Sequence, residues 1–510
     1  MRLPRLTKPY KLRDYKFSLV LLVFALSVIG VMVVGSAKAS VQNKQIFGVC
    51  VGFILMMIVS LIDYIWILNF YWIIYAVAIL SLLSVLVFGH TANGAKRWID
   101  LGFTTFQPSE LAKILLILFF ARFLMDHKDD INDAVTLIKY AVLAGIPLAL
   151  ILVEPNLSTT ICTALVICLL IYVGGLSYKF IGTVLLILVP VAIIFLSIAV
   201  QPNQPFLKDY QQKRILAFLE PEKYASDEAY QQNNSEMAIG SGQLTGKGLN
   251  NNTTTSVKNG NYISEPQTDF IFAIIGEELG FVGCCIIIAL LLLVVIQCIL
   301  IGMRSRDLAG KIICSGVGGL IGFQSFINIS VATNMLPNTG VPLPFISYGL
   351  TSLVSLYIGI GFVLNVGLQQ KNINKGVNAM NIGLVAHDSK KTLMQNFCIA
   401  YRGILSKHEL YATGTTGRLI EEVTNLNVHK YLAGPLGGKE QLGAQIAQND
   451  IDALIFLREP MNPKPHEPEV NDLFRLCDTY NIPMATNLAT AELIILAIDR
   501  GDLDWREMYR

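Results

Sequence analysis

The sequence predicts a polytopic all-α membrane domain of ten transmembrane helices, followed by a small α/β domain with a doubly wound parallel sheet. Composition and its distribution carry that prediction. Of 510 residues, 53% are hydrophobic and 15% charged, against roughly 25% charged in a soluble globular protein. Up to about residue 370, long apolar runs are separated by short polar segments; from 380 onward charges return and the apolar runs shrink to strand length. The expected organisation is a membrane domain over 1–370, a linker over 371–379 and a second domain over 380–510. A net charge of +2 gives no sign of a nucleic-acid partner. The nine cysteines form no C-x-x-C pair, so neither a zinc site nor a disulfide framework is expected.

A span needs about 20 apolar residues. The candidates are 17–34, 46–62, 71–88, 111–125, 137–153, 159–173, 180–200, 281–301, 312–332 and 346–368. The fourth and sixth are short and must extend into their flanks. Ala37-Lys38-Ala39 mimics a signal-peptidase site, but nine further spans argue that the first is kept. An even count puts both termini on one side, and the positive-inside rule chooses it. Arg2, Arg5, Lys8, Lys11, Arg13 and Lys16 precede the first span, and Arg304, Arg306 and Lys311 follow the eighth. The opposite short loops hold Lys96 and Arg97. Both termini are therefore expected in the cytoplasm, with Asp269 facing outward.

Three outward segments carry candidate chemistry. In Gly94-Ala95-Lys96-Arg97-Trp98-Ile99-Asp100-Leu101-Gly102, arginine can clamp a phosphate bidentately. Trp98 fits a sugar-stacking surface and equally an interfacial anchor. Glu110 and Lys113, three residues apart on one helix face, read either as a structural ion pair or as part of a site. The stretch Gly240-Ser241-Gly242-Gln243-Leu244-Thr245-Gly246-Lys247-Gly248 permits close backbone approach, and also fits a flexible loop. In Thr268-Asp269-Phe270-Ile271-Phe272, a carboxylate meets an apolar run. Such a group near lipid headgroups suits a general base for a hydroxyl, or a helix N-cap.

Taken together these segments resemble the SEDS polytopic glycosyltransferases (shape, elongation, division and sporulation proteins). The resemblance spans 17–368 and includes G-A-K-R-W-I-D-L-G, Q-P-S-E-L-A-K, I-G-S-G-x-L-x-G-K-G, T-D-F-I-F-A-I-I-G-E-E-L-G and the block from Asn334 to Gly349. It implies polymerisation of lipid II into peptidoglycan on the outer face of the bacterial cytoplasmic membrane, and a class B penicillin-binding protein as transpeptidase partner. It implies Asp269 as catalytic base, and a substrate groove with Arg97, Trp98, Lys96, Glu110 and Lys113. The G-A-K-R-W-I-D-L-G block is closer to the cell-elongation, RodA-like branch than to the division branch. One departure is Glu154-Pro155-Asn156-Leu157-Ser158-Thr159, where the family usually reads Pro-Asp-Leu-Gly-Thr; Asn156 stands in the place of the acid. The leaving pyrophosphate carries negative charge, so nearby cations help, supplied by Arg97, Lys96 or a divalent metal ion. No other cofactor is called for.

From residue 380 short strands alternate with helices: strands over 381–386, 409–412, 453–457 and 483–486, helices over 392–405, 416–424, 472–480 and 491–498. Alternation of this kind predicts a parallel sheet with ligands at the strand C-termini. Thr413-Gly414-Thr415-Thr416-Gly417 follows a strand and opens a helix, where hydroxyls and N–H groups can hold a phosphate. With Ala386-His387-Asp388-Ser389-Lys390-Lys391, Gly434-Pro435-Leu436-Gly437-Gly438 and Pro465-His466-Glu467-Pro468-Glu469-Val470, this region resembles methylglyoxal synthase. That family converts dihydroxyacetone phosphate to methylglyoxal and phosphate, and oligomerises. By resemblance Lys391, Thr413, Thr415, Thr416 and Gly434 bind phosphate, and His387, Asp388 and His466 line the reacting end. The family's Gly-Gly-Asp-Gln-Gln reads Gly437-Gly438-Lys439-Glu440-Gln441 here, so its enolising aspartate is Lys439. Glu459 and Glu469 each stand one methylene longer than the family's Asp.

The tail thus reads as a sensor of a phosphorylated metabolite, or as a second active site in which Glu440 serves as base. A flippase or non-catalytic scaffold is the competing reading for the membrane half.

Overall fold

The computed structural model describes residues 15–180 apart from 93, 94, 101, 103, 104 and 155; then 230–250, 256, 263 and 265–369; then 379–503 apart from 434, 435 and 460–467; and 505–506, with isolated positions between 182 and 218. Side chains at 91–96 and 468–471 are not described. The chain forms two compact units, Met1–Lys371 and Asn372–Arg510.

The first unit begins with α1 (Phe17–Ala37), α2 (Ala39–Leu61), the short α3 (Tyr64–Leu68) and α4 (Tyr71–Phe88). An antiparallel ribbon follows, β1 (His90–Ala92), β2 (Ala95–Asp100) and β3 (Thr105–Phe106). Next come α5 (Pro108–Asp126), α6 (Ala134–Val153), α7 (Leu157–Gly174), α8 (Tyr230–Ser241), α9 (Ile271–Met303), α10 (Leu308–Ala332) and α11 (Leu350–Leu368). Eight of these helices are long and apolar enough to cross a membrane. The fourth expected span lies within α5, which carries Glu110, Lys113, Arg122 and Asp126. The seventh, 180–200, falls largely outside the described residues.

The helices are apolar on both faces, with Leu19, Val23, Phe119 and Ile360 buried in the core. Leu21, Leu80, Val87 and Phe281 are exposed on the outside, as lipid permits. Polar side chains turn inward and bond across helices: Ser27 Oγ meets Tyr357 OH at 2.6 Å, and Asn365 Nδ2 donates to the Ser60 carbonyl at 2.8 Å. Close packing of α2 on α11 uses Gly48 and Gly52, where a Cβ would meet Leu350 and Tyr357 at 2.4 and 2.3 Å. Small residues at such contacts substitute for the hydrophobic drive that lipid does not provide.

Helix α9 starts ten residues before the eighth expected span, because residues 271–279 are themselves helical. It breaks at Gly280 (φ 66°). A break frees N–H and C=O groups that cannot stay unpaired at membrane depth. The glycine-rich segment after α8 takes them up. Phe281 and Val282 N–H donate to the Gln243 and Leu244 carbonyls, and Lys247 and Gly248 N–H donate to those of Glu277 and Glu278. The glycines are needed for the approach: a Cβ on Gly242 would stand 1.9 Å from the Gly276 carbonyl oxygen, and one on Gly280 2.3 Å from Gly246 N.

The second unit contains β4 (Asn381–Ala386), α12 (Lys391–Ala400), α13 (Arg402–Leu405), β5 (Glu409–Ala412), α14 (Gly414–Thr424), β6 (Val428–Lys430), α15 (Gly438–Ala447), β7 (Ala453–Leu457), α16 (Pro468–Thr479), β8 (Met484–Ala485) and α17 (Leu488–Arg500). The strands are all parallel in the order β6-β5-β4-β7-β8. Alternate residues face two separate cores: Ile382, Leu384, Ile455 and Leu457 lie in one, Val385, Leu454 and Phe456 in the other. That is the burial of a sheet covered on both faces. Two expectations need correction. The helix expected over 392–405 is interrupted at Tyr401, and β6 and α15 add to the alternation that the sequence pattern predicts.

Gly242→Ala should lower the thermal midpoint of the detergent-solubilised protein by several degrees. No side chain can move aside for a Cβ placed against the Gly276 carbonyl, and overpacking of this kind costs about 1–3 kcal/mol.

Candidate functional site

Asp269 lies half-buried one residue before the cap position of α9. The cap is Phe270 and no side chain caps the helix, which removes the N-cap reading. The backbone around the aspartate is clamped by α10 and by the segment from Thr339 to Tyr348. Asn328 Nδ2 donates to the carbonyls of Asp269 and Val341, both at 2.8 Å. Ser347 Oγ donates to the Thr268 carbonyl at 2.6 Å, and Tyr348 N–H to that of Gln267 at 2.9 Å. Opposite the carboxylate stands Gly340 (φ 69°), where a Cβ would approach Asp269 Oδ2 to 3.1 Å. Glycine therefore keeps space open on that side of the carboxylate.

Arg97 and Trp98 sit on β2, both half-buried, with Trp98 opposite His90. The Lys96 side chain lies outside the described residues. Arg97 Nε donates to the main-chain carbonyl of Glu154 at 3.4 Å, in the turn between α6 and α7. Asn156 ends that turn by accepting from Thr159 N–H; the residue in the acid's place is the N-cap of α7. Ser158 Oγ donates to the Thr339 carbonyl, next to Gly340. A continuous path of contacts thus joins Arg97 to Asp269 through the α6–α7 turn. Glu110 and Lys113 form a buried ion pair at 2.8 Å in the first turns of α5. Among the described residues, no group of three His, Cys, Asp or Glu side chains is arranged to hold a metal ion, so no step is derived through one.

Sequence reasoning did not mark Glu154. It is fully buried and its two carboxylate oxygens have no hydrogen-bond partner. Burial pushes it up to about 8, against the opposing pull of the Arg97 charge. An acidic residue beside the turn proline was its one signal.

In the second unit the candidate residues gather at the strand C-termini, beside the β4–β7 junction where the winding reverses, the usual ligand crevice of such sheets. His387 follows β4; its Nδ1 meets Ser389 Oγ at 2.9 Å, and its Nε2 is buried without a partner. Glu459, beyond β7, accepts from Ser389 Oγ and pairs with Lys390, both at 3.2 Å. Lys391 pairs with Asp388 at 2.7 Å. Thr413 and Thr416 are buried and bonded to each other at 3.2 Å at the start of α14, while Thr415 is exposed. Gly434 and His466 lie outside the described residues. Lys439 and Glu440 occupy the first turn of α15. Glu440 Oε2 lies 3.8 Å from where a Cβ on Gly437 would be, so its carboxylate folds back over the start of its own helix.

The first unit is thus that of a helical membrane protein with a half-buried carboxylate at one helix start. The model of the FtsW/RodA/SpoVE cell cycle protein family matches residues 14–372, and the chain belongs to that family. An MGS-like domain model matches 396–486. Peptidoglycan glycosyltransferase MrdB of Escherichia coli K12 is 32% identical over 367 residues, 71% of this chain and 95% of that protein. Methylglyoxal synthase of Caldicellulosiruptor saccharolyticus is 67% identical over 129 residues, 25% of this chain and 92% of that enzyme. A chain of a peptidoglycan synthase complex, solved for its structural coordination of polymerization and crosslinking, aligns with a TM-score of 0.59 at 27% identity, covering 69% of this chain and 97% of that one. The rod shape determining protein RodA of Thermus thermophilus aligns with a TM-score of 0.52 at 25% identity, covering 70% and 98%.

Asn328→Leu should strand the Asp269 and Val341 carbonyls without their shared donor. Each unsatisfied buried group costs about 1–3 kcal/mol. A lower thermal midpoint, together with reduced turnover although Asp269 is intact, is the expected result.

Proposed function

We propose that the first unit is a peptidoglycan glycosyltransferase that polymerises lipid II on the outer face of the cytoplasmic membrane, serving elongation and shape. The observation that carries this reading is the placement of Asp269, half-buried and clamped at a helix start, with space kept open by Gly340. In the step, Asp269 takes the proton of the acceptor sugar's 4-hydroxyl. The oxygen bonds to the donor's anomeric carbon, and the bond from that carbon to the undecaprenyl pyrophosphate oxygen breaks. Arg97 offsets the charge left on the pyrophosphate, and Trp98 offers a face to the sugar. The Glu110–Lys113 pair, buried within the helix bundle, fixes α5 beneath the groove. The chain crosses the membrane several times with both termini in the cytoplasm. A class B penicillin-binding protein crosslinks the product, in keeping with the coordination of polymerization and crosslinking in the aligned synthase complex.

Asp269→Asn keeps the shape of the side chain and removes the base. Polymerisation of lipid II by the full-length protein should fall by at least about 10²-fold, the usual contribution of a positioned base. A flippase or scaffold would be indifferent to the change, so undiminished polymer on a gel would refute the assignment.

For the second unit we propose a cytoplasmic domain that binds a phosphorylated metabolite such as dihydroxyacetone phosphate, with the N-terminus of α14 as the phosphate seat and a second copy as an oligomeric partner. Lys439 brings no carboxylate to the place of the family's enolising aspartate. Glu440 lies over the start of its own helix, and Glu459 is held by Ser389 and Lys390. The 67% identity to a methylglyoxal synthase favours a second reading, a bifunctional enzyme. Methylglyoxal formation by the full-length protein decides between them. The expected outcome is no product from the native chain, with activity appearing in Lys439→Asp. Product from the native chain would establish the bifunctional reading.

A further inference from the structure

The α6–α7 turn holds a group that the step above leaves unused. Neither oxygen of the Glu154 carboxyl is bonded and the side chain is fully buried. Ionising it there would cost several kcal/mol, and burial holds its proton up to about pH 8. Its main-chain carbonyl, meanwhile, accepts from Arg97 Nε at 3.4 Å. The elements around this turn carry Lys96, Arg97 and Asp100 on β2 and Glu110, Lys113, Arg122 and Asp126 on α5, with Asp269 beyond the Ser158–Thr339 contact. Glu110 and Lys113 are engaged with each other at 2.8 Å, and Arg97 is the charge that acts on Glu154.

A carboxylate beside a guanidinium competes directly with a phosphate for the same fork of donors. A neutral carboxylic acid does not. We propose that Glu154 is a positioning residue for Arg97: its carbonyl orients the guanidinium, and its uncharged carboxyl leaves that positive charge to the pyrophosphate of a lipid-linked donor. Deprotonation turns the anion seat into an internal Glu154–Arg97 pair. The inference rests on the lipid-pyrophosphate reading of the first unit and extends it to a residue outside the groove first named.

The test is binding of undecaprenyl pyrophosphate to the full-length protein in neutral detergent between pH 6.5 and 9.5, measured for the native chain, Glu154→Gln and Arg97→Ala. The native Kd should rise about tenfold from pH 7 to 9, the loss expected when a group that must be protonated titrates near 8. The glutamine variant, which cannot ionise, should lose that rise. Arg97→Ala should weaken binding at least about tenfold at pH 7 and also lose the alkaline rise. An alkaline rise that persists in Glu154→Gln overturns the proposal. So does absence of binding at every pH, or displacement by phosphatidylglycerol as effective as by the pyrophosphate lipid. Lipid II polymerisation measured alongside separates the two claims. Binding with the expected pH profile but no polymer refutes the glycosyltransferase reading and leaves the Glu154 role standing.

Discussion

The break in α9 is the constraint on which the membrane unit depends. A helix interrupted at Gly280 exposes carbonyls and amides that lipid cannot satisfy, and the glycine-rich segment after α8 satisfies them with four main-chain hydrogen bonds. Those bonds tie the segment after α8 to the helix whose first turn follows Asp269. The glycines in this segment therefore serve the fold: a side chain at Gly242 or Gly246 would collide with the backbone it must reach. Lys247 adds an ion pair to buried Glu277 at 2.9 Å, which places a charge at the same clasp.

With the start of α9 fixed, the neighbouring loops are held against it by main-chain acceptors. Asn328, Ser347 and Ser158 each donate to a carbonyl of a neighbouring loop. Such bonds specify position independently of the side chains displayed, so the carboxylate can stay half-buried while its backbone is fully engaged. The β-ribbon carrying Arg97 joins the same assembly through the α6–α7 turn. Charge is distributed unevenly along this path. Glu110 and Lys113 pair with each other in the bundle, whereas the Glu154 carboxyl is buried without a hydrogen-bond partner.

The second unit has the parallel sheet of an MGS-like domain, with Lys439 in the first turn of α15. Strand C-termini bring His387, Thr413 and Glu459 to one edge because all five strands run the same way. One chain thus joins a unit of the FtsW/RodA/SpoVE family to an MGS-like domain.

Much of this was legible in the sequence. Apolar runs of span length and short apolar runs between helical stretches differ in length, so α1, α4, α6, β4, β5 and β7 emerge from pattern alone. Asp269, Arg97 and the threonines of α14 stood out because each chemistry-bearing residue sat in a distinctive local string. The β-ribbon, α8, β6 and α15 escaped because they are short or polar and owe their form to neighbours distant in sequence. Glu154 escaped for the same reason. Its burial and its lack of a partner are properties of the packed turn, and no local pattern encodes them. Sequence by itself determined the two-part organisation, the long apolar helices and the identity of the reactive groups. Tertiary structure decided their environments, since desolvation and the reach of a donor to a remote carbonyl exist only once the chain has closed on itself.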